Sequence, residues 1–303
     1  MIRILIWILL AILLLPTPLM PIEPLVERSV YLTVEDGDRL IGGLTEENFR
    51  VSENGESRDF RLEEPELPVM ITLLVEHSRM AAWYWDDITQ SLSSFVRSAP
   101  DGHWYSLVTY AQTIEVASDF TRNRAEILDA WNRLGQPMWR EVNTYDAIYE
   151  TAEKLQLIGG RHVVVLIGSG IDTFSRRTLG EAQRKVEATG ATIFGIGAGS
   201  ALRGRLEMYL GTNARMELLR AQAFLQMLAD KTGGQAFFPR FVTAFPNVMR
   251  SVLLMVGHQY RLIYDSQPRL DRPFQVLEVE AFVIEDDRRK DFTVRVRDGW
   301  REE

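Results

Sequence analysis

Two runs of consecutive residues limit how this chain folds. Residues 69–75 and 162–167 are almost entirely apolar, a pattern typical of β-strands that are buried on both faces of a parallel sheet. Helical periodicity is found at 83–97, 123–134, 145–157, 179–189, 218–232 and 244–256, and further short strands at 104–110, 114–117, 192–196 and 236–238. Strands that alternate with helices of this length predict an α/β domain over residues 67–256, with a doubly wound, mostly parallel sheet.

Both ends of this α/β region have a β pattern instead. Residues 28–63 alternate apolar and polar side chains and contain turn signals at Asp36-Gly37 and Asn54-Gly55. Residues 258–298 are also rich in β-forming residues, and Asp286-Asp287 with the charges that follow predicts a hairpin turn. Neither segment has enough strands to be stable alone. We therefore expect them to pack together as one small β-domain, into which the α/β domain is inserted.

The first residues have the features of an export signal. Arg3 precedes an apolar run at 4–15, which matches the charged and apolar regions of a signal peptide. The run is shorter than the roughly 20 apolar residues of a transmembrane helix. Residues 1–20 therefore predict a periplasmic, cell-envelope or secreted protein. Cleavage and retention as an N-terminal anchor both stay open, and we expect membrane contact only through this segment.

Composition and motifs exclude several classes of function. The formal net charge of −8 and the lack of a long basic run argue against a nucleic-acid partner, whose binding needs a basic face. The chain has no cysteine, so disulfides and cysteine-ligated zinc are excluded. The glycine-rich stretch 195–199 follows a strand but lacks the third glycine and the early position of a dinucleotide fingerprint. The four histidines are scattered along the chain. We therefore expect a protein that is not an enzyme and has no cofactor. An enzyme is the alternative class of function.

Eight segments resemble a known family in content and order. They read GLTEENFRVSENG, PVMITLLVEHS, NTYDAIYETA, VVVLIGSGIDTFSR, ATIFGIGAG, LADKTGGQAFF, VLLMVGHQYRLIYD and FTVRVRDGW. This set is similar to the bacterial VWFA-related proteins of the von Willebrand factor type A family, which are typically exported. The resemblance implies a site at the carboxyl ends of the strands, where open α/β sheets bind ligands. In that family the site usually binds Mg²⁺ and keeps one position open for a carboxylate of a protein partner.

The first loop of this site departs from the family pattern of Asp-x-Ser-x-Ser. Glu76 stands at the position of the aspartate, Ser78 matches the first serine, and Met80 replaces the second. A thioether is a soft ligand and a poor match for a hard cation such as Mg²⁺. This loop therefore predicts a weakened metal site.

The second and third loops depart as well. Val142 aligns with the expected threonine, which Thr144 can replace only if the loop is shortened. Ser169 stands where the third loop has an aspartate, and Asp172 is displaced by three residues. We favour a degenerate, metal-poor site. The alternative is an altered Mg²⁺ site with the ligands Glu76, Ser78, Thr144 and Asp172.

Large aromatic residues flank the same loops. Trp83 and Trp85 follow the first loop beyond Arg79, and Trp139 precedes the second. Trp and Arg are enriched where protein interfaces bind most strongly. Three adjacent aromatic residues, 83–85, cannot all face one side of a helix, so at least one should be exposed. We expect these residues to bind an unidentified protein, which predicts a role in protein–protein interaction or adhesion.

Overall fold

The computed structural model describes residues 25–198, 211–269 and 271–301. The predicted export segment, residues 1–20, and the end of the glycine-rich stretch, Gly199, lie outside the described residues. Within the described ranges, no helix has the length and apolar character needed to cross a membrane.

The chain order of the elements follows the predicted alternation. The strands are β1 (Val26–Asp36), β2 (Arg39–Leu40), β3 (Phe49–Glu53), β4 (Glu56–Ser57), β5 (Phe60–Glu63), β6 (Val69–Glu76), β7 (Trp104–Tyr110), β8 (Ile114–Thr121), β9 (Arg161–Gly168), β10 (Thr192–Gly197), β11 (Ala236–Phe237), β12 (Tyr260–Ser266), β13 (Phe274–Glu285), β14 (Arg288–Arg295) and β15 (Gly299–Arg301). The α-helices are α1 (Trp85–Ser98), α2 (Arg124–Arg133), α3 (Thr144–Gln156), α4 (Leu179–Ala188), α5 (Thr212–Lys231) and α6 (Phe245–Gly257).

The middle of the chain forms a six-stranded sheet in the order β11-β10-β9-β6-β7-β8. All neighbours are parallel except β8, which runs antiparallel to β7. Strands β6 and β9 lie side by side at the centre, and every residue of β9 is buried. Their central position explains the two apolar runs, and the prediction of a mostly parallel α/β sheet is confirmed.

Helices pack on both faces of this sheet. Leu73 and Val75 of β6 belong to a core with α1, α2 and α6, whereas Leu74 belongs to a core with α3, α4 and α5. Successive side chains of a strand point to opposite faces. A strand covered on both sides therefore needs apolar residues at nearly every position.

The segments before and after this domain form one antiparallel sheet, in the order β4-β3-β13-β14-β1-β12-β5 with β2 and β15 alongside. Strand β1 pairs with β12 along Val26–Leu32 and then with β14 along Thr33–Glu35. The expectation that the two ends of the chain share a sheet is thus confirmed. Changing partners along β1 lets the sheet curl around its own core, which includes Leu32 and Phe49.

The structure confirms one predicted turn and corrects other elements. The hairpin turn lies at Asp286 and Asp287, which have φ of 48° and 58°, and the charged residues after them pair within β14. Helix α5 begins at Thr212 instead of the predicted Leu218. Residues 212–217 are all exposed and show no apolar periodicity, so they carry no helical signal in the sequence. Strand β15 lies beyond the predicted C-terminal β segment, which ends at residue 298.

Arg297, between β14 and β15, fastens the antiparallel sheet to the α/β domain. Its buried guanidinium donates hydrogen bonds to the carbonyl oxygens of Thr189 (2.6 Å), Glu187 (2.7 Å) and Gly299 (2.7 Å). The first two carbonyls lie at the C-terminal end of α4, where a positive charge is favourable. The guanidinium also stacks on Trp300, with Cζ 3.4 Å from the ring centroid.

We predict that Arg297→Met lowers the free energy of unfolding by about 2–4 kcal/mol, since buried carbonyl groups lose a charged donor. Urea unfolding measures this difference. Arg288→Met, which removes an exposed arginine from β14, is the matched control and should be nearly neutral. Equal stability of the two variants would contradict the role assigned to Arg297.

Candidate functional site

Three loops meet at the carboxyl ends of the central strands. They are residues 77–80 after β6, residues 134–143 before α3, and residues 169–178 after β9. Backbone hydrogen bonds connect them: Arg79 N to Trp139 O (2.6 Å) and Phe174 N to Val142 O (3.0 Å). A further bond, from His77 N to Tyr110 O (2.7 Å), joins the first loop to the end of β7. These contacts hold the three loops in one fixed surface above the sheet.

Glu76, the last residue of β6, lies fully buried beneath these loops. Its Oε2 accepts hydrogen bonds from the backbone N (2.6 Å) and the Oγ (2.7 Å) of Ser169. Its Oε1 accepts one from Ser78 Oγ, which in turn accepts from the backbone N of Met80 (3.2 Å) and Ala81 (3.4 Å). The carboxyl group therefore joins the ends of β6 and β9, and hydrogen bonds occupy both of its oxygens.

Burial sets the protonation of this carboxyl group. Loss of water raises the pKa of Glu76, and the hydrogen bonds from Ser78 and Ser169, which act in the opposite direction, do not cancel this effect. The hydroxyl groups of Tyr84 and Tyr110 are buried as well. Burial, and next the charge of Glu76, raise the pKa of both tyrosines well above its usual value.

Gly168 makes room for this arrangement. A β-carbon at this position would lie 2.5 Å from the Tyr110 hydroxyl and 2.8 Å from Glu76 Oε2. Both distances are too short for a carbon atom, so only glycine allows Glu76 and Tyr110 to pack against the end of β9.

The other two candidate ligands make different contacts. Thr144, buried at the start of α3, donates a hydrogen bond from Oγ1 to the carbonyl oxygen of Ile171 (2.5 Å). Asp172 Oδ1 accepts from the backbone N of Tyr145 (3.2 Å) and from Ser175 Oγ. Asp172 thus caps the first turn of α3, a favourable place for a negative charge.

These donors do not suit a hard divalent cation, which binds several oxygens and favours more than one carboxylate. The Oγ of Ser78 and the carboxyl oxygens of Glu76 are already engaged in hydrogen bonds. Among the described residues, no group of three His, Asp or Glu side chains is placed to hold a metal ion.

Large apolar side chains are exposed above the buried carboxyl. We call Trp83, Met138, Trp139 and Phe174 the apolar rim, because 59%, 79%, 49% and 50% of their surfaces are exposed. Trp83 is the exposed member of the aromatic run 83–85, as expected, and Tyr84 is the buried one. Met138, Trp139 and Phe174 lie on the second and third loops, and Trp83 lies in the short 3-10 helix Ala81–Tyr84 that follows the first loop.

Trp85 and Arg79 differ in their surroundings. The Trp85 ring is partly buried between the rings of His77 (4.9 Å between centroids) and Trp131 (4.1 Å), so it supports the first loop from below. The Arg79 side chain is exposed. Sequence reasoning missed Phe174, whose only signal is an aromatic residue within a polar loop.

Sequence reasoning also missed the role of Ser169 as the partner of Glu76. The available signal was a pair of changes on neighbouring strands. Glutamate is one carbon longer than the expected aspartate, and serine is shorter than the aspartate it replaces. The longer side chain on β6 fills the space left after β9.

Residues 71–229, more than half of the chain, match the family model described as von Willebrand factor type A domain. The chain belongs to this family. The match runs from β6 into α5, so all three loops lie within the VWA domain.

Several solved structures resemble the chain. The PilB minor pilin of Streptococcus sanguinis is 10% identical, with a TM-score of 0.46, over 64% of this chain and 63% of that one. An aerotolerance-related membrane protein of Bacteroides fragilis is 12% identical, with a TM-score of 0.46, over 63% and 99%. The vWF domain of the type V pili tip protein Mfa5 of Porphyromonas gingivalis is 13% identical, with a TM-score of 0.43, over 63% and 96%. These likenesses concern the fold alone. No curated protein matches the chain.

We predict that Glu76 makes the VWA domain less stable as the pH rises. Its folded pKa lies above the ordinary value of 4.5. The stability that it contributes is therefore complete below pH 4.5 and is lost as the pH rises through the folded pKa.

Glu76→Gln keeps the shape of the neutral acid and cannot lose a proton. Its free energy of unfolding, measured in urea between pH 4 and 8, should fall less with pH than that of the natural protein. Glu153→Gln changes an exposed glutamate and serves as the control. A pH profile of Glu76→Gln parallel to that of the control would show that Glu76 does not titrate in this range.

Proposed function

We propose that this protein is an exported module for protein–protein interaction or adhesion, and that it binds its partner through the apolar rim without a metal ion. The observation that carries the proposal is the exposure of Met138, Trp139 and Phe174 on loops joined by backbone hydrogen bonds, and of Trp83 in the 3-10 helix that follows the first loop. Buried aromatic anchors dominate the energy of many protein interfaces. Exposed apolar residues held on rigid loops are ready to become such anchors.

The buried carboxyl below the rim supports metal-independent binding. In the expected family site, a metal ion would keep a position open for a carboxylate of the partner. Here Glu76 lies fully buried, and Ser78 and Ser169 engage its oxygens. A partner can therefore reach the loops and the rim, but not this carboxyl group.

The architecture supports binding at this edge. The strand order and the helices on both faces fit the doubly wound arrangement that we propose for the VWA domain, in which ligands bind beyond the carboxyl ends of the strands. We further propose that residues 67–256 act as the binding unit. Residues 28–63 and 258–298 would then act as its β-structured support.

Export is proposed from the charged and apolar pattern of residues 1–20. The absence of cysteine also means that no thiol needs protection from an oxidising compartment. The cell envelope, the periplasm and the exterior are all consistent with this pattern.

The surroundings of the histidines support a role other than catalysis. His77 and His162 donate ring hydrogen bonds to the carbonyl oxygens of Gly135 (3.3 Å) and Ile158 (2.7 Å), and His258 Nδ1 bonds that of Leu254 (2.7 Å). His103 Nδ1 accepts a hydrogen bond from a backbone amide. Each histidine therefore bonds the main chain, whereas a catalytic triad needs one between a serine and a carboxylate.

The alternative is an altered Mg²⁺-dependent adhesion module that uses Glu76, Ser78, Thr144 and Asp172. We predict that millimolar Mg²⁺ leaves the Tm nearly unchanged. A ligand at 100 times its Kd would stabilise the fold by about 2.7 kcal/mol, which is a Tm shift of about 5–11 °C for a domain of this size. Such a shift in the natural protein, absent from Ser78→Ala, would establish the metal-dependent alternative.

We predict that a partner protein cross-links to the rim in intact cells. The chain has no cysteine, so Gln136→Cys introduces a single thiol beside the rim. Leu157→Cys places the control thiol on an exposed residue at the other end of α3. With a thiol-reactive photo-cross-linker, a discrete adduct should form from position 136 only, and Trp83→Ala with Trp139→Ala should abolish it.

The same two variants test export. A maleimide that cannot cross the inner membrane should label both thiols in intact cells. Labelling that requires cell lysis would refute export, and labelling without any adduct at position 136 would refute binding at the rim.

A further inference from the structure

The loops that carry the apolar rim are rich in arginine, although the whole chain has a net charge of −8. Within residues 77–80, 134–143 and 169–178, the basic residues are Arg79, Arg140, Arg176 and Arg177, and the acidic residues are Glu141 and Asp172. The loops therefore carry a local excess of positive charge. Such a local excess attracts a partner of opposite charge.

Three of these arginines differ from the fourth in their ion pairing within the described part of the chain. Among the described residues, the exposed side chains of Arg79, Arg140 and Arg176 take part in no ion pair. Arg177 differs, because it lies 3.6 Å from Glu181 and stacks on a tyrosine ring. Unpaired guanidinium groups remain available to a carboxylate from outside.

The nearest carboxylates are directed at the main chain instead. Asp172 accepts from the backbone of α3. Asp146 accepts from the backbone N of Arg176 (3.0 Å) and Arg177 (2.8 Å). These bonds fix the backbone at Arg176 and leave its side chain unpaired. Glu141 is the one acidic loop residue for which no such contact is found.

The free arginines are interleaved with the apolar rim. Arg79 donates its backbone N–H to Trp139 O (2.6 Å), and Arg140 follows Trp139 in sequence. Arg176 lies two residues after Phe174, on the loop that is bonded to Val142. Each of these arginines is thus connected to a rim residue by a backbone hydrogen bond or by one or two residues of chain.

We propose that the partner presents an acidic segment with apolar side chains, and that Arg79, Arg140 and Arg176 bind its carboxylates. This inference rests on the proposed function and specifies the chemistry of the partner. A guanidinium matches a carboxylate with two parallel hydrogen bonds. The arginines thereby bind the acidic groups of the partner without a metal ion, while Trp83, Trp139 and Phe174 contact its apolar side chains.

A defined polymer tests this chemistry without knowledge of the partner. The probe is a fluorescent random copolymer of glutamate and tyrosine, and a copolymer of lysine and tyrosine is the control probe. The loop-arginine variant combines Arg79→Glu, Arg140→Glu and Arg176→Glu. The matched variant combines Arg97→Glu, Arg272→Glu and Arg288→Glu, three exposed arginines outside the loops, so both variants have the same net charge.

The natural protein should bind the acidic copolymer and not the basic one. The loop-arginine variant should bind the acidic copolymer at least about tenfold more weakly, since each lost charged pair is worth a tenfold change or more. The affinity of the matched variant should stay close to that of the natural protein. Arg→Gln at the same three arginine positions should cause a smaller loss of affinity. Thermal melting checks that each variant is folded.

Equal weakening in both variants, or no binding by the natural protein, would overturn the inference. The cross-link from Gln136→Cys separates this failure from that of the proposed function. An adduct that still forms after the three arginine substitutions would support the rim as a binding surface and would reject the role of the arginines. No adduct in the natural background would reject the rim itself.

Discussion

The buried carboxyl group of Glu76 is the contact on which the binding edge depends. It connects the two central strands, β6 and β9, through Ser78 and Ser169. A charged carboxylate in this position is costly because it is fully buried and has no cationic partner among its hydrogen-bond contacts. The side chain is instead held by hydroxyl and amide donors, which fix the first and third loops to the sheet.

Closing the interior of the site changes which groups a partner can contact. In a metal site, the charge that attracts a ligand lies inside the loops. Here the interior is occupied by Glu76, Tyr84 and Tyr110, and the exposed groups are the apolar rim and the arginines around it. The chain thus keeps the fold of the VWA domain, and under our proposal the positive charge that attracts a partner lies on the outer face of the loops.

The antiparallel sheet is held to this domain by buried arginines. Arg297 bonds the carbonyl oxygens at the end of α4. Arg161, at the start of β9, bonds Val256 O (2.7 Å) and Gln259 Oε1 (2.6 Å) and lies over the ring of Tyr31. These guanidinium groups bond carbonyl and amide oxygens at the junction of the two sheets. Because such bonds depend on direction, they set the orientation of one sheet on the other more strictly than apolar contact does.

The sequence by itself determined the fold class, because consecutive apolar residues at 69–75 and 162–167 are stable only within a sheet covered on both faces. It also predicted that the positions of Met80, Val142 and Ser169 depart from the metal-site pattern of the family. Only the tertiary structure decided that Glu76 reaches Ser169, since these residues are far apart in sequence and meet only because β6 and β9 are neighbours. The exposure of Phe174 and the short β15 also depend on distant contacts. Local patterns record which faces are apolar, whereas the partner of a single polar side chain is set by the packing of the whole chain.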